Sequence, residues 1–162
     1  MLVDLFSHVS LLRKQVVVAA HLLEKAEAAS PDALDWRLAE DMHPLRFQLK
    51  VVCNFSAQWC ARVAGVAVPT DVSDTLDAAG FRAALAEAEA FLGSLTPDRF
   101  AGRDDVPWTQ RLTDTLEPTM PLGDWLLRFA LPNIFFHLSM VYAILRGRGV
   151  PLGKLDFFAG GL

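Results

Sequence analysis

Apolar residues recur at spacings of three and four along most of the chain, and that rhythm predicts helices. In the first segment, Leu2 to Ala29, the positions Leu5, Val9, Leu12, Val16, Ala19 and Leu23 fall on one helical stripe. Ser30-Pro31-Asp32 stops it, and a connector runs to Asp41 with one helical turn around Trp36 and Leu38. Pro44 suits a first helical position, where its missing N–H costs nothing. Leu45, Leu49, Val52, Trp59 and Val63 then form a second stripe that Gly65 ends. A short linker through Val68-Pro69-Thr70 leads to an Ala-rich third helix, Leu76 to Leu95, with Phe81, Leu85, Ala88 and Leu92 on one face. Gly80 blurs its start. Thr96 to Leu122 carries prolines at 107, 118 and 121 and reads as a long loop with a short hairpin around Trp108 to Leu116. A loop of that length covers something, carries function, or crosses over the bundle. The fourth helix begins near Gly123-Asp124, is kinked or restarted at Pro132, and ends after Arg146 at Gly147 or Gly149. The tail, Val150 to Leu162, is apolar enough to dock on the bundle or on a neighbouring subunit. No repeat and no strand pattern of any length interrupts this order. The expectation is all-α, one domain over residues 1–162, an antiparallel four-helix bundle with a long loop between helices 3 and 4.

Composition supports a single core: 162 residues, 52% hydrophobic. The net charge of −4 and scattered basic residues exclude a nucleic-acid partner. Trp125 to Leu145 is long enough for a bilayer span, but Arg128, Pro132, Asn133 and His137 punctuate it, so a buried bundle helix is expected and no membrane. Cys53 and Cys60, two turns apart on one helix, are too distant to pair and read as core hydrophobes of a reducing compartment. No signal-peptide pattern opens the chain. The expected localisation is cytoplasmic.

Phosphate loops, nucleophile elbows, H-E-x-x-H and paired C-x-x-C motifs are all missing. Chemistry therefore falls to isolated polar residues on apolar faces. Asp41, Leu45, Gln48 and Val52 step by four, three and four, which puts Asp41 and Gln48 on the buried face, with helix capping as the plainer role for Asp41. His137 shares the core stripe of Ile134, Val141 and Ile144, so its imidazole must be hydrogen-bonded or metal-bound. If consecutive helices alternate in direction, the starts of the second and fourth share one end of the bundle. His43, His137 and His21 could then converge near Asp41, with His8 at the opposite end. Three imidazoles, or two and a carboxylate, would suit zinc, nickel or iron. His21 lies between Val17 and Lys25 on a line facing solvent, which weighs against that set. Tyr142 and Arg146, one turn apart, could pair along one face. Lys154 and Asp156 form either a solvated pair or a closure of the pocket end.

The string Arg37 to Gln48 (Arg-Leu-Ala-Glu-Asp-Met-His-Pro-Leu-Arg-Phe-Gln), together with Ala61 to Gly65, resembles the DUF1993 family, a branch of the DinB/YfiT-like superfamily. Phe129 to His137 (Phe-Ala-Leu-Pro-Asn-Ile-Phe-Phe-His), Tyr142 to Arg146, Gly149 to Lys154 and Asp156-Phe157 extend the likeness, in order, over almost the whole chain. The resemblance implies a DinB-like four-helix bundle, often dimeric. It also implies that relatives elsewhere in the superfamily hold a divalent metal with one histidine from the second helix and an H-x-x-x-H pair on the fourth. Some of those relatives are thiol-dependent S-transferases. Here His137 could supply one member of that pair, but Val141 stands where the second histidine would be, and His43 stands where the branch has an aromatic.

Three readings follow. In the first, His137, as the catalytic candidate, sits in a small-ligand pocket lined by Asp41, His43, Gln48, Tyr142 and Arg146, with the metal site degenerate. In the second, the protein is a divalent-metal-dependent thiol S-transferase or hydrolase. In the third, it is a non-catalytic dimeric interaction module. A homodimer is expected in each, and the cofactor, a divalent metal being admitted but not favoured, stays unassigned.

Overall fold

The computed structural model describes residues 4–161. Helix α1 (Leu5–Ala29) is capped by Asp4, whose Oδ1 accepts from the Phe6 N–H at 3.1 Å. The expected beginning at Leu2 lies outside the described residues. Helix α2 (Leu45–Ala64) follows Pro44 and ends at Gly65, which takes the left-handed conformation with φ 66°. Helix α3 (Ala78–Ser94) is capped by Asp77, which accepts from the Gly80 N–H at 2.8 Å. Helix α4 (Leu122–Gly147) carries a π-helical segment at Trp125–Ala130. The hairpin in the long loop consists of β1 (Pro107–Thr109) and β2 (Thr119–Pro121), with Trp108 opposite Met120.

The π segment has a cause in the sequence. A proline at 132 cannot donate to the Arg128 carbonyl, and its ring would collide with it in α register. The wider turn relieves that collision. Asn133 then donates its Nδ2–H to the Phe129 carbonyl at 2.7 Å, so the Pro-Asn pair is a structural device.

Contacts along the helices reveal their directions. Between α1 and α3, Arg13 meets Glu89 and Glu27 meets Arg82, so these run antiparallel. Between α2 and α4, Gln48 meets His137, Phe55 meets Phe129 and Trp59 stacks on Trp125, again antiparallel. Between α2 and α3, Arg46 reaches the carbonyls of Asp74 and Leu76 while Cys53 reaches that of Ala84, so these two are parallel. The order is up, down, down, up. Consecutive helices therefore do not all alternate, the condition for bringing the starts of α2 and α4 together is not met, and those starts lie at opposite ends.

Residues 65–77 are consequently not a short linker but the crossover. Extended, they span about 40 Å, enough to run back along the roughly 30 Å of α2. Four polar residues of α2, spaced by four, hold this segment. Gln58 donates to Pro69 O and to Asp71, Asn54 Oδ1 accepts from the Val72 N–H, Lys50 faces Asp74, and Arg46 reaches Asp74 O and Leu76 O. The long loop between α3 and α4, by contrast, has both ends at one end of the bundle and folds over it. Arg103 donates to the carbonyls of Val63 (2.7 Å) and Arg62 (3.2 Å), which lie in the last turn of α2 and have no further helical turn to bond. Trp125 donates its Nε1–H to the Trp108 carbonyl at 2.8 Å, tying the hairpin down.

The core is continuous across the four helices, from Leu5 and Leu12 through Leu49, Trp59 and Phe81 to Trp125, Ile134 and Val141. α4 is long and apolar enough to cross a membrane by length and composition, yet Trp125, Leu126, Ile134, Leu138 and Val141 are fully buried against the bundle. Cys53 and Cys60 are buried and unpaired with each other. The tail makes a turn of 3-10 helix at Lys154–Phe158 and docks on its own bundle, Phe157 against Tyr142 and Asp156 against His21.

Candidate functional site

Gln48 and His137 meet across the α2–α4 interface because both sit on faces that point into it. Gln48 is buried, and its carboxamide is held at both ends. Its Nε2–H donates to the His43 carbonyl at 3.0 Å, and its Oε1 lies 2.6 Å from His137 Nδ1. Reversing the amide would set oxygen against oxygen at His43, so this orientation alone satisfies both contacts. A carboxamide oxygen only accepts. His137 must therefore carry its proton on Nδ1, which leaves Nε2 as a free lone pair.

The surroundings favour the neutral imidazole. Burial, and then the charge of His43, hold the His137 pKa below its usual value of 6.5. Around it, the His43 ring stacks on Phe47 at 3.8 Å, Phe47 meets His137 edge-on at 6.0 Å, and Phe136 meets it at 5.2 Å. The result is a half-buried, oriented base among aromatic rings.

The other residues read from the sequence are placed differently. Asp41 is exposed and precedes the helix, which starts at Leu45, so the helical spacing that put it on the buried face does not apply. It does not cap α2 either, since Pro44 occupies that position without a side-chain bond. Tyr142 packs on Phe157, and Arg146 donates to the Val150 carbonyl, so they do not pair with each other. Among the described residues no hydrogen bond, ion pair or ring contact joins Asp41, Tyr142 or Arg146 to His137. His21 pairs with Asp156 at 2.8 Å, while His8 leans on the Asp4 carbonyl at the other end of the bundle. Asp156 also accepts from the Gly153 N–H, and that bond, ahead of His21, holds its carboxyl below the usual range. Lys154 and Asp156 are thus not a pair: the carboxylate fastens the tail.

A metal of the superfamily's kind would need three donors around His137. Val141 is fully buried and cannot ligate, His21 is engaged elsewhere, and no group of three His, Cys, Asp or Glu converges among the described residues. The donor set does not fit such an ion.

The structure also reveals a feature the sequence reading missed. A cleft of about 560 Å³ opens between α2, α3 and the crossover, lined by Asn54, Asp71, Ala84 and Glu87 among others. Its signal in the sequence is the small-residue stripe Gly80, Ala83, Ala84 and Ala88, which an Ala-rich helix alone does not mark as a cleft.

Comparison with known proteins adds a family and a fold. Residues 6–158 match the family described as Domain of unknown function (DUF1993). The chain is also similar to a DinB family member protein from Shewanella denitrificans, with a TM-score of 0.80 and 25% identity, over 95% of this chain and 90% of that one. No curated protein matches.

Proposed function

The chain belongs to the DUF1993 family, in a DinB-like fold, and from that premise we propose a small-ligand-binding protein whose His137 offers Nε2 as acceptor of a hydrogen bond or proton. The observation that carries this reading is the locked tautomer. Gln48 plays the part of the orienting group that, in acid–base sites, fixes a histidine by its distal nitrogen. The flanking Phe47, His43 and Phe136 rings favour a ligand with a flat apolar body and an acidic O–H or N–H. His43 borders this space. Asp41, Tyr142 and Arg146 belong to it only if the ligand is large enough to reach them.

The experiment is a screen of weakly acidic heterocycles by ¹H–¹⁵N NMR, reading the His137 ring nitrogens. Saturable shifts at Nε2, accompanied by backbone-amide shifts at Phe47 and Phe136 that vanish in His137→Leu, support the reading. Backbone-amide shifts that ignore the substitution overturn it, and a stoichiometric zinc-induced shift at Nε2 would return the site to the metal reading.

We place the protein in the cytoplasm, a reading supported by two unpaired buried thiols. We further propose a homodimer through the outward face of α4, where Phe136 is 55% exposed beside His137.

A further inference from the structure

We propose that the cleft between α2, α3 and the crossover is a second binding site, for a small organic ammonium compound with an apolar body and a hydrogen-bond acceptor. This goes beyond the His137 site, with which the cleft shares no residue. Its volume, about 560 Å³, falls in the range of small-molecule sites.

The floor of the cleft is apolar because the facing stripe of α3 is small. Gly80, Ala83, Ala84 and Ala88 leave unfilled the space that larger side chains would close, with Leu76 and Phe91 bounding the stripe in sequence. Asn54 of α2 brings polar function into the cleft opposite this floor. It is more than nine-tenths buried, and its Oδ1 is fixed by the Val72 N–H at 2.9 Å. Fixing the oxygen leaves the N–H₂ group without a protein acceptor among the described residues, on the wall of the cleft. An occupant with a carbonyl or ether oxygen would satisfy it.

Charge selects the rest of the ligand. Glu87 and Asp71 line the cleft, and no Lys, Arg or His does. Asp71 already accepts from Gln58 through one oxygen and feels Arg62 from outside, so Glu87 is the less compensated carboxylate. Cys53 also lines the cleft, but its thiol donates to the Ala84 carbonyl, and burial followed by the Glu87 charge pushes its pKa up to about 12. It is a wall, not a nucleophile.

The test titrates phenylalaninamide, which carries an ammonium group, an amide carbonyl and a phenyl ring, against 3-phenylpropanamide, which lacks only the ammonium. Backbone ¹H–¹⁵N spectra of the full chain are the readout. Expected are saturable shifts at Gly80, Ala84 and Asn54 with a dissociation constant of about 1 mM or tighter. Glu87→Gln, at an exposed position, should weaken binding about fivefold, as for a solvent-screened ion pair. Ala84→Leu should abolish it by filling the floor. The idea is overturned if the neutral amide binds as well as the ammonium, or if the shifts fall outside the cleft. It is equally overturned if Glu87→Gln changes nothing, a variant that keeps the test decisive even where Ala84→Leu disturbs folding.

Discussion

At the scale of single residues, the pair Gln48–His137 makes the clearest commitment, because its geometry fixes where a proton sits. A histidine whose folded pKa is lowered binds its proton less readily than the unfolded chain does. Above the unfolded value of 6.5 both states are neutral and the site contributes its full stability. As the pH falls below 6.5 the unfolded chain takes up the proton first, and stability is lost until the folded pKa is passed. An NMR titration should therefore place the His137 midpoint below 6.5, and Gln48→Leu should mix the two ring tautomers. A midpoint at or above 6.5 would contradict the arrangement. Gly160 supplies a second residue-scale expectation. A Cβ there would land on the Lys14 carbonyl, which is backbone and cannot step aside. Gly160→Ala should lower stability by about 1–3 kcal/mol, the usual cost of overpacking, and loosen the Phe157–Tyr142 contact as seen in side-chain NOEs. A thermal midpoint equal to wild type would show that the tail contributes no packing there.

At the scale of elements, the lesson concerns what an amphipathic pattern can and cannot say. Helix spans came through because the apolar stripes of α1, α2 and α4 each had a physical stop, at Ser30, Gly65, and Gly147 to Gly149, while Pro132 was absorbed by a π turn without ending α4. Direction did not, because a stripe reads the same whichever way its helix runs. The deciding information lay on the polar side of α2, where Arg46, Lys50, Asn54 and Gln58 recur every four residues. Such a stripe ordinarily faces water. Here it holds an extended segment, and that makes α2 and α3 parallel. The site was legible to the same degree: His137 and Gln48 could be placed on inward faces, but their meeting depended on α4 running against α2. Asp41 failed because a helical face was extended past the helix. The crossover ladder is testable at Asn54. Asn54→Leu removes the partner of the Val72 N–H and should cost about 1–3 kcal/mol in urea unfolding. A loss under about 0.3 kcal/mol would mean that water replaces the amide without penalty.

At the scale of the whole molecule, the outward face of α4 is the part of the surface that a monomer explains least well. Pro132, Phe136, Ser139 and Gly147 are exposed there, and Met140 and Ala143 partly so, with charge confined to the Asp124–Arg128 pair near one end and Arg146 and Arg148 at the other. A helix of this length presents about 400 Å² as a stripe, roughly half of what one partner contributes to a standard interface. The remainder has a source close by. The tail packs beside α4 through Phe157 on Tyr142 and leaves Leu155 85% exposed. A two-fold pairing about α4 would bury Phe136, which lies against His137, together with Leu155. Light scattering on the purified chain should then return about twice 17.8 kDa at micromolar concentration. Phe136→Glu should return the single mass with the helical signal intact, since an exposed side chain bears no core load. Leu155→Asp should weaken the association without abolishing it. A wild-type mass of 17.8 kDa over that concentration range would leave α4 a solvent-facing apolar helix and detach the His137 site from any partner.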